Sequence, residues 1–165
     1  MTGLPGTGKS TLADAVAKEI GAPSFAGDWL MGALKPAGIF AHLDRPTYLS
    51  MYHRLLRTLV TRQLILGQSA VTDCLVTDDV VDDWRAHFAS FGASTHVVEC
   101  VCTDVDLHRS RVDGRQRGIP GWHEIDWNHV ERMRPEFPAL RGSDLTLDAV
   151  HPIERNLKTL LRFIE

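Results

Sequence analysis

Eight residues near the start of the chain, Gly3-Leu4-Pro5-Gly6-Thr7-Gly8-Lys9-Ser10, constrain the fold more than any other stretch. They fit the pattern G-x-x-x-x-G-K-[ST], a phosphate-binding turn. Three glycines let the backbone pass through conformations that a Cβ would forbid, so successive N–H groups can point inward. Such a nest suits the α- and β-phosphates of a nucleotide, and a helix starting near Lys9 adds the positive end of its dipole. Lys9 is placed to reach the β- and γ-phosphates, and the Ser10 hydroxyl to hold Mg²⁺. Gly3, Pro5, Gly6, Thr7, Gly8, Lys9, Ser10 and Thr11 are the nucleotide-binding candidates. Leu12, Val16 and Ile20 form one apolar stripe on the helix that follows, and Gly21 ends it.

A buried strand of about five apolar residues normally precedes this kind of turn and lies in the middle of its sheet. Only Met1 and Thr2 stand before Gly3. The expectation is a start upstream, a truncated chain, or a sheet lacking most of its middle strand. A missing middle strand would expose the edges of both neighbours and impair stability.

Beyond the turn, short apolar runs alternate with helical segments, which implies an α/β protein with a mostly parallel sheet. Strands are expected at 24–26, 69–72, 95–102 and 144–147. Helices are expected at 10–20, 29–34, 46–66, 77–91, from 103 or 104 past Val112, from Asp126 to about 135, and at 152–164. No repeat or linker divides the 165 residues, so a single domain over 1–165 is expected.

The net charge of −3 supplies no basic field for nucleic acid. No apolar run reaches the roughly 18 residues that span a bilayer. Three cysteines, an odd number, without a secretory signal point to a reducing, cytoplasmic setting and to buried apolar thiols. Fourteen of the eighteen positive residues are Arg, several between Arg109 and Arg117, which favours a local anion site.

Two carboxylates stand at strand ends, where open α/β sheets place ligands. Asp28 is the candidate catalytic base, able to accept the proton of a phosphoryl acceptor and orient it; its alternative role is to cap the helix beginning at Trp29. Asp73 follows Ala70-Val71-Thr72 and is placed to reach the water shell of Mg²⁺, with a simple turn as the alternative. The two could also share the acceptor site. Arg111 and Arg115, four apart, are expected on one helix face. With Arg109, Arg117 and the breakers Gly114, Gly118, Pro120 and Gly121, they suggest an Arg-rich lid over about 109–125. Trp122, His123 and Trp127 either stack on an acceptor or pack the lid onto the core. The remaining histidines, His53 and His108 among them, read as surface or capping residues.

The pattern resembles the small P-loop kinases grouped with AAA-type ATP-binding proteins, near the zeta-toxin, chloramphenicol phosphotransferase and polynucleotide kinase families. The resemblance rests on TGLPGTGKST at 2–11, GDWL at 27–30, AVTD at 70–73 and RSRVDGRQRG at 109–118. It implies a three-layer P-loop fold with a parallel sheet in order 2-3-1-4-5, ATP with Mg²⁺, and transfer of the γ-phosphate to a hydroxyl of a small molecule. It also implies that Asp28 is the acceptor-side base, Arg111 an adenine-side arginine and Arg115 a catalytic lid arginine. Polynucleotide kinases commonly carry an Arg three residues after this Asp; here it is Met31, which argues against a nucleic-acid 5′-hydroxyl as acceptor. A nucleotide-binding regulatory ATPase module and a nucleic-acid end kinase remain the alternatives. A ring-forming AAA machine does not fit, because 165 residues leave no room for its extra helical domain.

Overall fold

The computed structural model describes residues 1–165. Four short strands, β1 (Ser24–Ala26), β2 (Val71–Asp73), β3 (Val98–Val101) and β4 (Leu145–Asp148), form two parallel pairs, β1–β2 and β3–β4. Met1 and Thr2 join the pairs. The Met1 ammonium donates to Thr72 O at 2.8 Å and Cys74 N donates to Met1 O at 3.1 Å. On the other side Thr2 N donates to Val98 O at 2.9 Å and Cys100 N to Thr2 O at 2.8 Å. Across the molecule the segments therefore lie in the order β1, β2, Met1–Thr2, β3, β4.

Seven α-helices surround them: α1 (Lys9–Ile20), α2 (Gly27–Leu34), α3 (Arg45–Ile65), α4 (Asp78–Ala89), α5 (Val105–Val112), α6 (Trp127–Met133) and α7 (Ile153–Ile164). The N-caps obey local chemistry. Asp44, Asp104 and Asp126 each accept from the backbone amide three residues on, at 2.8, 2.9 and 2.7 Å.

Strand alternation sorts side chains into two cores. Val98 and Cys100 of β3 join Leu12 and Val16 of α1, Leu147 of β4 and Leu160 of α7. Val97 and Ala70 turn the other way, against Tyr52, Leu56 and Val60 of α3, Met31 of α2, and Val81, Trp84 and Phe88 of α4. Burying each of these side chains is worth about 1.5–3 kcal/mol. A third, smaller cluster of Val112, Ile125 and Val130 roots the segment after α5.

Three expectations are corrected. The strand expected over 95–102 is confined to 98–101 and that over 69–72 to 71–73. Toward their amino ends the two segments diverge around a cleft of about 770 Å³ lined mainly by apolar side chains, among them Val71, Val98, Phe88 and Leu160. Arg111 and Arg115 do not share a helix face: α5 ends at Val112, and Gly114, at φ 71°, turns the chain before Arg115. His53 and His108 are buried, not on the surface. Of the cysteines, Cys74 and Cys100 are buried, and burial raises both thiols to about 11; Cys102 is half-buried.

Candidate active site

The turn of residues 3–10 closes over tight contacts. Gly3, at φ 135°, passes so near the sheet that a Cβ would fall 2.1 Å from Cys100 O. At Gly6, φ 90°, a Cβ would sit 2.5 Å from a methyl of Val112. Thr7 ties the turn to itself, its hydroxyl donating to Leu4 O at 2.8 Å. The amides of Gly6, Gly8, Lys9, Ser10 and Thr11 make no backbone hydrogen bond. Five free donors at a helix N-terminus fit an oligophosphate, whose oxygens would satisfy them.

Residues outside the motif hold this turn in place. His108 of α5, buried against Trp127 with ring centroids 5.0 Å apart, donates from Nε2 to Pro5 O at 2.7 Å. Burial pushes its imidazole below the usual range, toward the neutral form that this bond uses. His53 of α3 does the same for the segment after β2, donating from Nε2 to Leu75 O at 2.8 Å. Burial lowers its pKa as well. Neither histidine lies in a recognisable motif, and both partners are main-chain carbonyls, which leave no trace in a sequence.

Asp73 closes β2 and is buried. Its Oδ1 has no hydrogen-bond partner, and Lys9 Nζ lies 3.8 Å away. A buried, unsatisfied carboxylate oxygen facing the phosphate turn suits a hard cation with oxygen ligands. Asp73, and Ser10 at the start of α1, are the residues that could hold Mg²⁺.

Asp28 lies in the first turn of α2. The capping alternative is excluded by geometry, because the N-cap is Ala26 and no side chain caps this helix. Gly27 makes room: a Cβ there would collide with the Tyr52 hydroxyl at 2.1 Å, so the buried Tyr52 ring lies directly beneath. The Asp28 carboxylate instead meets Arg117, whose guanidinium donates to Oδ2. The Arg117 side chain also donates to His123 O at 3.3 Å, and its buried Nε has no hydrogen-bond partner. Arg117, and not Arg115, is thus the arginine of this stretch in contact with Asp28. Arg115 is half-buried nearby; burial and the adjacent Arg117 push its pKa down, against the opposing pull of Glu124, Asp28 and Asp73. Arg111 is exposed on α5 and does not line the cavity around Asp28.

The segment after α5 sits closed on α2. A Cβ on Gly121 would lie 2.2 Å from Gly32 O, and one on Gly32 2.5 Å from Pro120 O. Glu124 accepts from the Arg117 and Gly118 amides at 2.9 and 3.4 Å. The Arg117 amide bond holds the Glu124 carboxyl below the ordinary range. Beneath this cover lies a cavity of about 280 Å³. Lys9, Asp28 and Asp73 line one part, and Phe40, Tyr48 and Trp122 another. The open question over the aromatic residues divides: Trp122 and His123 line the cavity, while Trp127 packs against His108 and the Val112 cluster. Trp29, beside Asp28, is largely exposed.

No curated protein matches the sequence. Solved structures match along nearly the whole chain. An unliganded sugar kinase from Janibacter is 19% identical, with 99% of this chain and 91% of that chain covered and a TM-score of 0.71. A gluconokinase from Sinorhizobium meliloti is 16% identical, with coverages of 98% and 87% and a TM-score of 0.71. An APS kinase from Mycobacterium tuberculosis, in complex with AMPPNP and APS, is 19% identical, with coverages of 99% and 94% and a TM-score of 0.65. These likenesses establish an α/β fold of the P-loop kinase type. Residues 1–140 match the AAA domain family, and with the phosphate turn, its free amides and this fold, the chain belongs to that family.

Proposed function

We propose that this protein is an ATP-dependent phosphotransferase that moves the γ-phosphate to a hydroxyl of a small molecule. The observation that carries the reading is the cavity of about 280 Å³ lined by Asp28 together with Lys9 and Asp73. A switch or regulatory ATPase has no need of a pocket that joins a carboxylate to its phosphate turn. Similar folds in a sugar kinase, a gluconokinase and an APS kinase, the last with AMPPNP and APS bound, support the same reading.

In this scheme the free amides of 6 and 8–11 and Lys9 hold the phosphates. Ser10 and Asp73 would hold Mg²⁺, which would supply charge neutralisation at the phosphoryl oxygens. Asp28 accepts a hydrogen bond from the acceptor hydroxyl and takes its proton as the oxygen attacks in line. Arg117 occupies that carboxylate, so the acceptor hydroxyl must displace it. The displaced guanidinium, whose Nε remains 3.7 Å from Glu124, then has the terminal nitrogen freed from Asp28 to offer the transferring phosphoryl group. Arg111, outside the cavity, remains a candidate for the nucleotide's base. The lid excludes water, which protects ATP from hydrolysis. No helix is long and apolar enough to cross a membrane.

The test is transfer of label from γ-labelled ATP to a panel of polyols, sugars, sugar acids and nucleosides. Asp28→Asn is expected to lower kcat by about 10²–10⁴ while nucleotide affinity stays unchanged. Undiminished turnover in Asp28→Asn removes the base assignment.

A further inference from the structure

The cations of the acceptor cavity are nearly all neutralised, and the exception is informative. Lys9 faces Asp73 at 3.8 Å. Arg117 meets Asp28. Arg45 forks onto Glu136, with bonds of 2.7 and 3.0 Å to its two oxygens. Lys35 lines the same cavity and has no carboxylate within salt-bridge distance. Its Nζ lies 5.4 Å from the centre of the Trp122 ring and 3.3 Å from His123 Nδ1. Burial, and then Lys35 itself, push the His123 pKa down, so that nitrogen serves as a neutral acceptor. One of the three ammonium donors is thereby used, and the charge is left uncompensated.

Lys35 is exposed and solvated, and as the one cation lining the cavity without a carboxylate partner it is the group placed to pair with an anion bound there. Its position relative to the chemistry is fixed by residue 123: the side chain meets Lys35, while the main-chain oxygen accepts from Arg117, which holds Asp28. The cationic end and the carboxylate end of the cavity are thus one residue apart along the lid. Asp28 repels an anion, so a bound acceptor has one orientation, its negative group toward Lys35 and its hydroxyl toward Asp28.

We propose that the acceptor is a small hydroxy acid, a polyol-sized molecule carrying an anionic group, and that Lys35 selects it by pairing with that group. This rests on the phosphotransferase reading above. Lys35 sits at the exposed C-terminal end of α2, so replacing it leaves the core intact.

The experiment compares matched acceptors: D-gluconate against D-glucitol for a carboxylate, and glucose 6-phosphate against glucose for a phosphate. Each is assayed for phosphorylation with the whole chain, Lys35→Gln and Lys35→Arg, alongside calorimetry with Mg·ATP. One charged member is expected to have a KM about 10- to 100-fold below its neutral partner, the usual worth of a charge-assisted hydrogen bond. The carboxylate and phosphate arms identify which anion is taken. Lys35→Gln should raise that KM to the neutral partner's value with kcat and nucleotide affinity little changed, and Lys35→Arg should keep most of the preference. Neutral acceptors used as well as charged ones, or a charged acceptor's KM unmoved in Lys35→Gln, overturns the inference and leaves the phosphotransferase reading standing. A panel on which nothing is phosphorylated also overturns it, and the absence of Mg·ATP binding alongside would take the wider reading down too.

Discussion

The two ends of the gap between β2 and β3 obey different rules. At the carboxyl end, two residues, Met1 and Thr2, make four hydrogen bonds to both neighbours and deliver the chain into a turn whose glycines touch the sheet and α5. At the amino end the same two segments part around about 770 Å³ of apolar cleft. The first end is held by directional main-chain bonds, while the second is lined by side chains of two separate cores, Val98 and Leu160 of one and Phe88 of the other. Near the turn the segment is fixed by a few short bonds and by close backbone approaches.

Separate perturbations of the two ends sharpen that contrast. Leu160→Ala removes a buried side chain from the apolar end and is expected to cost about 2–5 kcal/mol, measured by urea unfolding. The affinity of the still-folded fraction for Mg·ATP should not change. A weakened affinity would mean that the two ends are mechanically coupled.

At the other end, His108→Ala orphans the Pro5 carbonyl and should cost about 1–3 kcal/mol. It should also weaken nucleotide binding, since Pro5 lies inside the turn. His108→Gln, which keeps a side-chain N–H donor, should restore much of both. Equal nucleotide affinity in all three proteins would show that the turn keeps its shape without this prop.

The smallest effect is on pH dependence. His53 and His108 both have folded pKa values lowered by burial, so the unfolded chain binds protons that the folded chain refuses. Their contribution is complete above about 6.5, the ordinary histidine value, and is lost as pH falls below it toward the lowered folded values. Melting temperature should drop on acidification from pH 7 to 5, with a shallower slope in His108→Gln. An unchanged slope in that variant would assign the acid sensitivity elsewhere.

How much of this was legible in the sequence follows from what kind of interaction each part uses. The phosphate turn is written in residues that the chemistry demands, and the positions of Asp28 and Asp73 follow from strand ends that apolar runs mark. The helices could be placed because Leu, Val and aromatic residues recur at helical spacing, as with Tyr52, Leu56 and Val60. Strand lengths could not, because 95–97 and 69–70 have strand composition yet lie outside β3 and β2, and where a ladder stops depends on tertiary pairing. The Gly- and Arg-rich composition after α5 was legible. Which of its arginines meets Asp28 was not, since Gly114 ends α5 early and brings Arg117 inward where continued helix would have favoured Arg115. His53 and His108 were missed because an imidazole that props a carbonyl has no partner side chain to give it away.

One measurement addresses the central claim most directly: titration calorimetry of the folded protein with Mg·ATP, beside Lys9→Ala. The account predicts a saturable heat for the parent, absent or weakened by about 10²-fold or more in Lys9→Ala, whose loss removes the one side-chain cation of the phosphate turn. A well-folded parent that gives no heat with any magnesium nucleoside triphosphate, or one whose affinity survives in Lys9→Ala, contradicts it.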